Sequence, residues 1–324
     1  MIKNILITGG AGYIGSHITD ILVKNKKKIY IIDNLSTGFR RLINKKAKFF
    51  KLDIKETQKI KKIITKNKID SIIHLAASLS IGLGEKHPKQ YYKNNVLGTK
   101  SLINACIKTT IKNFIFSSTA AVYKDGLRIV KENSQIKPMS VYGKTKIKAE
   151  KIIISNLKKN NINYAILRYF NVCGASLSGK IGLITKGDHL FKNLAMETIK
   201  NNPKIKIYGN DYNTPDKTAI RDYIHVSDLA EIHIKVLNKI DKINKSSILN
   251  CGYNKGISVL EAVNTFKKYN KKNFEISYLN RRAGDMEMII ANNEKLRRFI
   301  KWRPKFQNIS KIVESCIKWE RKLK

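Results

Sequence analysis

Cysteine, acid and long apolar runs are all scarce in this chain, and each scarcity excludes something. Its four cysteines, Cys106, Cys173, Cys251 and Cys316, form no C-x-x-C pair and have no histidine at zinc-finger spacing. A disulfide framework and a structural zinc site are thereby excluded; four small, half-buried thiols and no metal are expected. No apolar run reaches the roughly 18 to 20 residues that span a bilayer, and Met1 to Gly10 (MIKNILITGG) is too short and too glycine-terminated for a signal peptide. A cytoplasmic protein with no membrane partner is expected. Only 24 acidic residues stand against 64 basic ones, a formal net charge of +40. Such an excess ordinarily points to nucleic acid. Here, however, 11 of the 64 are arginine and 53 lysine, and isoleucine (50) and asparagine (31) are heavily used as well. All three have A/T-rich codons, and the lysines are spread over every segment instead of forming a stripe interleaved with aromatics. Codon bias explains the charge; no specific nucleic-acid partner is expected, and loose polyanion attraction is a side effect.

What is present is enough apolar residue, 42% of 324, to bury one large core or two modest ones. Short β-branched runs (4–8, 29–32, 49–52, 71–75, 113–117 and 164–167) alternate with longer amphipathic stretches. That alternation predicts an α/β fold, a doubly wound parallel sheet covered on both faces. From about Asn171 the pattern changes to a glycine-rich polar loop (171–188), a helix, a short strand (205–208) and a turn-rich stretch (209–215). A first domain over 1–170 and a smaller α/β lobe over 171–324 are expected, with segments near 219–250 returning to the first sheet.

The first expected strand runs into TGGAGYIGSH and then a helix. Gly9, Gly12 and Gly15 supply glycine where the backbone reverses, where it approaches a pyrophosphate and where helix packs on strand. Asp33 ends the next strand, where a carboxylate accepts from a ribose 2′-hydroxyl and repels a 2′-phosphate. The joint pattern points to NAD and away from NADP.

Tyr142 and Lys146 open a long helix four residues apart and so share one face. An adjacent ammonium and a cationic nicotinamide both favour a phenolate, so this pair suits proton abstraction from a carbinol. By chance alone roughly two Tyr-x-x-x-Lys matches are expected in so lysine-rich a chain; Tyr142 is the one tyrosine that has one. A hydroxyl from Ser118 or Thr119, at the end of the preceding strand, could bond the same substrate oxygen.

Taken together, TGGAGYIGSH, DNLS at Asp33, HLAA at His74, YYKNNVLGT at Tyr91, FSSTAAVY at Phe116, YGKTK at Tyr142, RYFNV at Arg168, RDYIHVSDLA at Arg221 and RRAGD at Arg281 resemble the extended short-chain dehydrogenase/reductase family. The chain is most similar to its C4 epimerases of UDP-hexoses, over nearly its whole length. The resemblance implies a Rossmann domain that holds NAD through Gly9, Gly12, Tyr13, Ile14, Gly15, Asp33, Asn34, Asp53, Ile54, Leu75, Ala76, Ala77, Asn94 and Phe170. It implies Tyr142 as the base, with Lys146 and Thr119 as its catalytic partners, all three also touching the cofactor. Asn171, Leu190, Tyr208, Arg221, Arg282 and Asp285 match positions that grip UDP, His189 stands at the uridine side where many relatives have asparagine, and Ile289 falls at the sugar. The implied substrates are UDP-glucose and UDP-galactose, and the implied assembly is a homodimer pairing helices over 88–108 and 141–159. Val96, Leu97, Leu102, Ile103, Ile147, Ile152, Ile153 and Ile154 there are expected to exceed what the sheet needs. Ala120-Ala121 stands where 4,6-dehydratases carry Asp-Glu, which leaves no acids for elimination. Two alternatives stay open: another UDP-sugar 4-epimerase, acting on N-acetylglucosamine or pentose derivatives, and a catalytically idle NAD-binding protein with polyanion affinity.

Overall fold

The computed structural model describes residues 2–323 apart from 186, 188, 271–273 and 283. Lys186 and Asp188 of the polar loop and Ala283 of the RRAGD motif therefore lie outside the described residues. In chain order the elements are β1 (Asn4–Thr8), α1 (Tyr13–Lys24), β2 (Lys28–Asp33), β3 (Lys48–Lys51), α2 (Thr57–Lys66), β4 (Ser71–His74), α3 (Ile81–Lys86) and α4 (Pro88–Tyr91), a π turn over Tyr92–Leu97, then α5 (Gly98–Cys106), β5 (Asn113–Thr119), β6 (Ile129–Val130), α6 (Val141–Lys159), β7 (Asn163–Tyr169) and β8 (Asn171–Cys173). The remainder comprises α7 (Leu190–Thr198), β9 (Lys204–Tyr208), β10 (Ile220–His225), α8 (Val226–Ile243), β11 (Ser247–Cys251), β12 (Gly256–Ser258), α9 (Val259–Asn270), β13 (Glu275–Leu279), β14 (Met288–Ala291), α10 (Glu294–Ile300) and α11 (Ile309–Leu323).

Seven parallel strands form the main sheet in the order β11-β7-β5-β4-β1-β2-β3. Successive strand residues point to opposite faces, and the apolar runs supply both. Ile5, Ile7, Ile31, Ile73 and Ile115 pack with α1 and α8, whereas Leu6, Ile32, Ile72, Phe114 and Phe116 pack with α2, α5 and α6. The order reverses between β1 and β4, the crevice where such sheets take ligands.

The chain leaves this sheet at Phe170, and β8 pairs instead with β10 in a second sheet ordered β12-β10-β14-β6. Of the 219–250 segment, Ser247–Cys251 pairs with β7 in the first sheet, but Ile220–His225 lies in the second. The strand pattern of β10 looks like that of β11; only its partners distinguish them. The apolar positions expected to lie spare on the helices need a similar correction. Val96, Leu102, Ile103 and Ile153 are buried within the protomer, Ile147, Ile152 and Ile154 are half-buried, and Leu97 alone of that set is exposed. The four thiols are all buried, not half-buried. Among the described residues no helix is long and apolar enough to cross a membrane.

Candidate active site

The turn after β1 is held by glycine for two separate reasons. Gly9 has φ +73°, and a Cβ there would stand 2.8 Å from the Ala76 amide nitrogen, so the turn lies hard against the segment following β4. At Gly15 a Cβ would stand 2.4 Å from the Gly9 carbonyl oxygen. Gly12 is different: among the described residues a Cβ there would meet just the Gly9 carbonyl oxygen, at 3.2 Å, and as the N-cap of α1 it offers no side-chain acceptor. The first amides of α1 are thus left for an anion. Tyr13 donates to the Gly174 carbonyl at 2.5 Å and ties α1 to the chain after β8, while Ile14 packs on the core.

Asp33 accepts from the Ala11 amide at 3.0 Å and the Leu35 amide at 2.8 Å. Burial pushes its carboxyl up and those two amides oppose the shift. Asn34 donates to Asp53 at 3.2 Å, and Ile54 is buried against Gly98. Leu75, Ala76 and Ala77 line the other side of the crevice, half-buried. The π turn places both Asn94 and Asn95 on Ser78: Asn94 donates to its hydroxyl at 2.9 Å, and Asn95 bonds its backbone in both directions. Such bulges recur at functional sites.

Tyr142 lies in the first turn of α6, which Ser140 caps by accepting from the Gly143 amide at 3.1 Å. That turn packs directly on backbone, because a Cβ on Gly143 would stand 2.3 Å from the Ala121 carbonyl oxygen. The close approach brings half-buried Tyr142 beside Thr119 at the end of β5. Burial pushes the phenol up to about 12, and the Thr119 hydroxyl opposes the shift. One turn on, Lys146 is buried with Nζ 4.4 Å from the centre of the Phe116 ring. Desolvation pulls its ammonium down to about 7, and Glu150 one further turn along opposes this. His74, between Thr8 (2.7 Å) and Thr99 (3.0 Å), is kept neutral by burial and by the charge of Lys146.

The second sheet aligns another set. Its register sets Asn171 beside Tyr223 and Arg221 beside Ile289. Asp285 holds the Arg282 Nε at 2.9 Å and faces Arg221 at 3.9 Å, and the Arg282 guanidinium lies 4.9 Å from the Tyr208 ring centre. Ile289 is buried in a cluster with Ala120, Val122 and Phe170. Asn171 and His189 are exposed, His189 preceding α7, and Leu190 is half-buried against the core. A groove of about 810 Å³ lined by Lys131, Lys239, Ile248 and Arg298 beside β11 contains none of these residues.

Residues 5–252 match the model of the NAD dependent epimerase/dehydratase family. The chain belongs to that family. It is 38% identical over 319 residues to a UDP-glucose 4-epimerase of Lactobacillus helveticus, covering 98% of this chain and 97% of that protein. In structure it is similar to the UDP-glucose-4-epimerase of Stenotrophomonas maltophila with bound NAD and formylated UDP-arabinopyranose, at TM-score 0.95 and 30% identity over 99% of this chain and 98% of that one. It is also similar to the UDP-Glc/GlcNAc 4-epimerase of Campylobacter jejuni, at TM-score 0.85 and 36% identity over 99% of both chains.

Within this epimerase fold, several residues that shape the site escaped the sequence reading. Glu150 accepts both prongs of Arg168 (3.1 and 2.7 Å) and the Ser118 hydroxyl, a buried network directly behind Lys146. Gly143 and Asn95 are the others. A glutamate four residues after Lys146 on the same helix face was a usable signal; nothing local marks Gly143, whose role depends on where Ala121 comes to lie.

Proposed function

We propose that this protein catalyses NAD-dependent epimerisation at C4 of UDP-hexoses, interconverting UDP-glucose and UDP-galactose through a 4-keto sugar. The observation that carries the reading is that Tyr142, beside Thr119 and one helical turn before Lys146, packs on the same parallel sheet whose first strand ends in the Gly9–Gly12–Gly15 turn. The cradle fits NAD: space beside Gly12, an uncapped helix start and a fixed carboxylate at Asp33 match a pyrophosphate and a 2′-hydroxyl. Gly9, Gly12, Tyr13, Ile14 and Gly15 would hold the diphosphate, Asp33 and Asn34 the adenosine ribose, Asp53 and Ile54 the adenine, and Leu75, Ala76, Ala77, Asn94 and Phe170 the remainder. The chemistry supplied by bound NAD is reversible hydride acceptance at C4.

Tyr142 takes the O4 proton and gives it back. Alone in its pocket the phenol stays protonated, so it needs positive charge to act. Lys146 supplies part of that charge, and Thr119 aligns the phenol. Arg221 and Arg282 bind the diphosphate as guanidinium forks with Asp285 orienting them, Tyr208 stacks, and Asn171, His189 and Leu190 complete the UDP side. Anchoring UDP firmly while gripping the hexose weakly lets the keto sugar turn over between the two hydride transfers. Residues 1–170 serve the cofactor and 171–324 mainly the substrate.

The test is twofold. Purified protein should release NAD on acid treatment, and a panel of UDP-sugars should give UDP-galactose from UDP-glucose without added cofactor. Mainly NADP, or turnover that consumes NADH, would sink the assignment. A second reading, activity on UDP-N-acetylglucosamine, is favoured by Ile289, whose branched side chain leaves more room than a tyrosine ring. We further propose a cytoplasmic homodimer through the faces of the helical run over 88–108 and of α6, supported by exposed Tyr92 and Leu97 in the π turn that joins α4 to α5. Light scattering should give twice the 37.0 kDa chain mass.

A further inference from the structure

Tyr212, in the turn between β9 and β10, is absent from every set of residues named so far. Its ring is wholly buried in a seat built for it. On one side a Cβ at Gly209, itself at φ +82°, would stand 2.4 Å from ring Cε2. The Arg281 guanidinium lies 4.0 Å from the ring centre and is fixed by Asp211 through Nε to Oδ1 and Nη2 to the carbonyl oxygen, both 2.7 Å. The hydroxyl, by contrast, has no partner among the described residues and is shielded from water. Leaving a buried hydroxyl so is costly, and phenylalanine would fill the same seat without that cost.

Besides Arg281 against the ring, Asp285, Arg221 and Arg282 act electrostatically on the phenol. Burial and Asp285 hold it protonated, hence a donor. Guanidinium has donors only, and the carboxylate of Asp285 is already engaged by Arg282 and Arg221. The cluster is therefore rich in donors and short of one thing, an anion with several acceptor oxygens. A diphosphate that draws Arg221 and Arg282 toward itself meets that need. We propose that Tyr212 is a further substrate-binding residue, its hydroxyl donating to a diphosphate oxygen of UDP beside Arg221 and Arg282. The proposal rests on the UDP-sugar reading above.

The experiment is Tyr212→Phe in the full-length protein, with calorimetric titration of UDP and of uridine, NAD content and thermal unfolding. Loss of a bond to a charged oxygen predicts about a tenfold weaker UDP affinity, unchanged uridine affinity, unchanged NAD content and a Tm that is equal or higher. Unchanged UDP affinity overturns the proposal. So does an equal loss for UDP and uridine, or a lowered Tm accompanied by loss of UDP, since either would make the hydroxyl structural. Wild-type protein that fails to bind UDP would overturn the substrate reading instead.

Discussion

At the crevice between β1 and β4 the molecule presents mainly backbone, whereas between β10, β14 and the 281–285 turn it presents long side chains. Gly9 and Gly15 press against the Ala76 amide and the Gly9 carbonyl, neither of which can swing away, and Asp33 is pinned by two amides. Arg282 is nearly half exposed and bonds the Asp285 carboxylate, and Tyr208 is open to solvent. A pocket of backbone is pre-shaped and favours a resident ligand; a pocket of side chains reorganises as its ligand arrives and departs. An epimerase has use for both, since its cofactor emerges unchanged while its product must leave.

The largest expected effect separates chemistry from binding. Tyr142→Phe should reduce epimerisation by about two to four orders of magnitude, the scale for losing general acid/base catalysis, with UDP affinity little changed. Lys146→Met should be similarly damaging and Thr119→Ala milder; near-normal turnover in Tyr142→Phe would put the base elsewhere. The rigidity contrast is sharpened by two alanines. Gly15→Ala drives a methyl into a carbonyl oxygen and should destabilise by about 1–3 kcal/mol and release NAD during purification. Gly284→Ala meets nothing within 4 Å and strains only φ +80°, so it should keep its NAD and shift UDP affinity slightly. Cofactor loss from Gly284→Ala, or retention in Gly15→Ala, would break the comparison.

Acid should act on the buried histidines and on Asp222 in opposite senses. Burial holds His74 near 3, far below the ordinary imidazole value. The unfolded chain therefore binds a proton that the fold refuses: the stability is present above about pH 6.5 and falls at lower pH by at most about 1.4 kcal/mol per unit. His17, His225 and His233 act in the same direction. Asp222, buried in the second sheet, is pushed up to about 6 despite accepting from Tyr253, Asn254 and Ala291. Its contribution is fully present below the unfolded carboxylate pKa and is lost as pH rises through 6. Urea midpoints between pH 7.5 and 4.5 should thus fall overall, less steeply in His74→Gln and more steeply in Asp222→Asn.

The smallest effect concerns range. Ile289→Tyr should retain activity on UDP-glucose and lose any on UDP-N-acetylglucosamine, and Ile289→Gly should raise the latter. An unchanged ratio of the two activities in both variants would show that Ile289, buried behind Ala120 and Phe170, does not face the sugar.

The legible parts of the site were those whose chemistry is local. Gly9, Gly12 and Gly15 mark a turn by spacing alone, Asp33 follows at a strand end, and Tyr142 and Lys146 share a face because a helix repeats every 3.6 residues. The short β-branched runs of β1 to β5 likewise announced a sheet buried on both sides. Illegible parts were those defined by a partner far along the chain: Ile220–His225 forms a strand, and nothing in its residues says that it pairs with β8 and β14 and not with β7.

Sequence by itself thus determined the α/β alternation, the glycine turn, the acid that follows it and the Tyr–Lys pair, because propensity and period act within a few residues. Tertiary structure alone decided which strands leave the first sheet, that Gly143 must admit the Ala121 carbonyl, that Glu150 and Arg168 meet behind Lys146, and that the Tyr212 hydroxyl is stranded among arginines. Those outcomes depend on close approaches between segments tens of residues or more apart, and the cost of a misplaced Cβ or an unpaired hydroxyl exists only once the chain has packed.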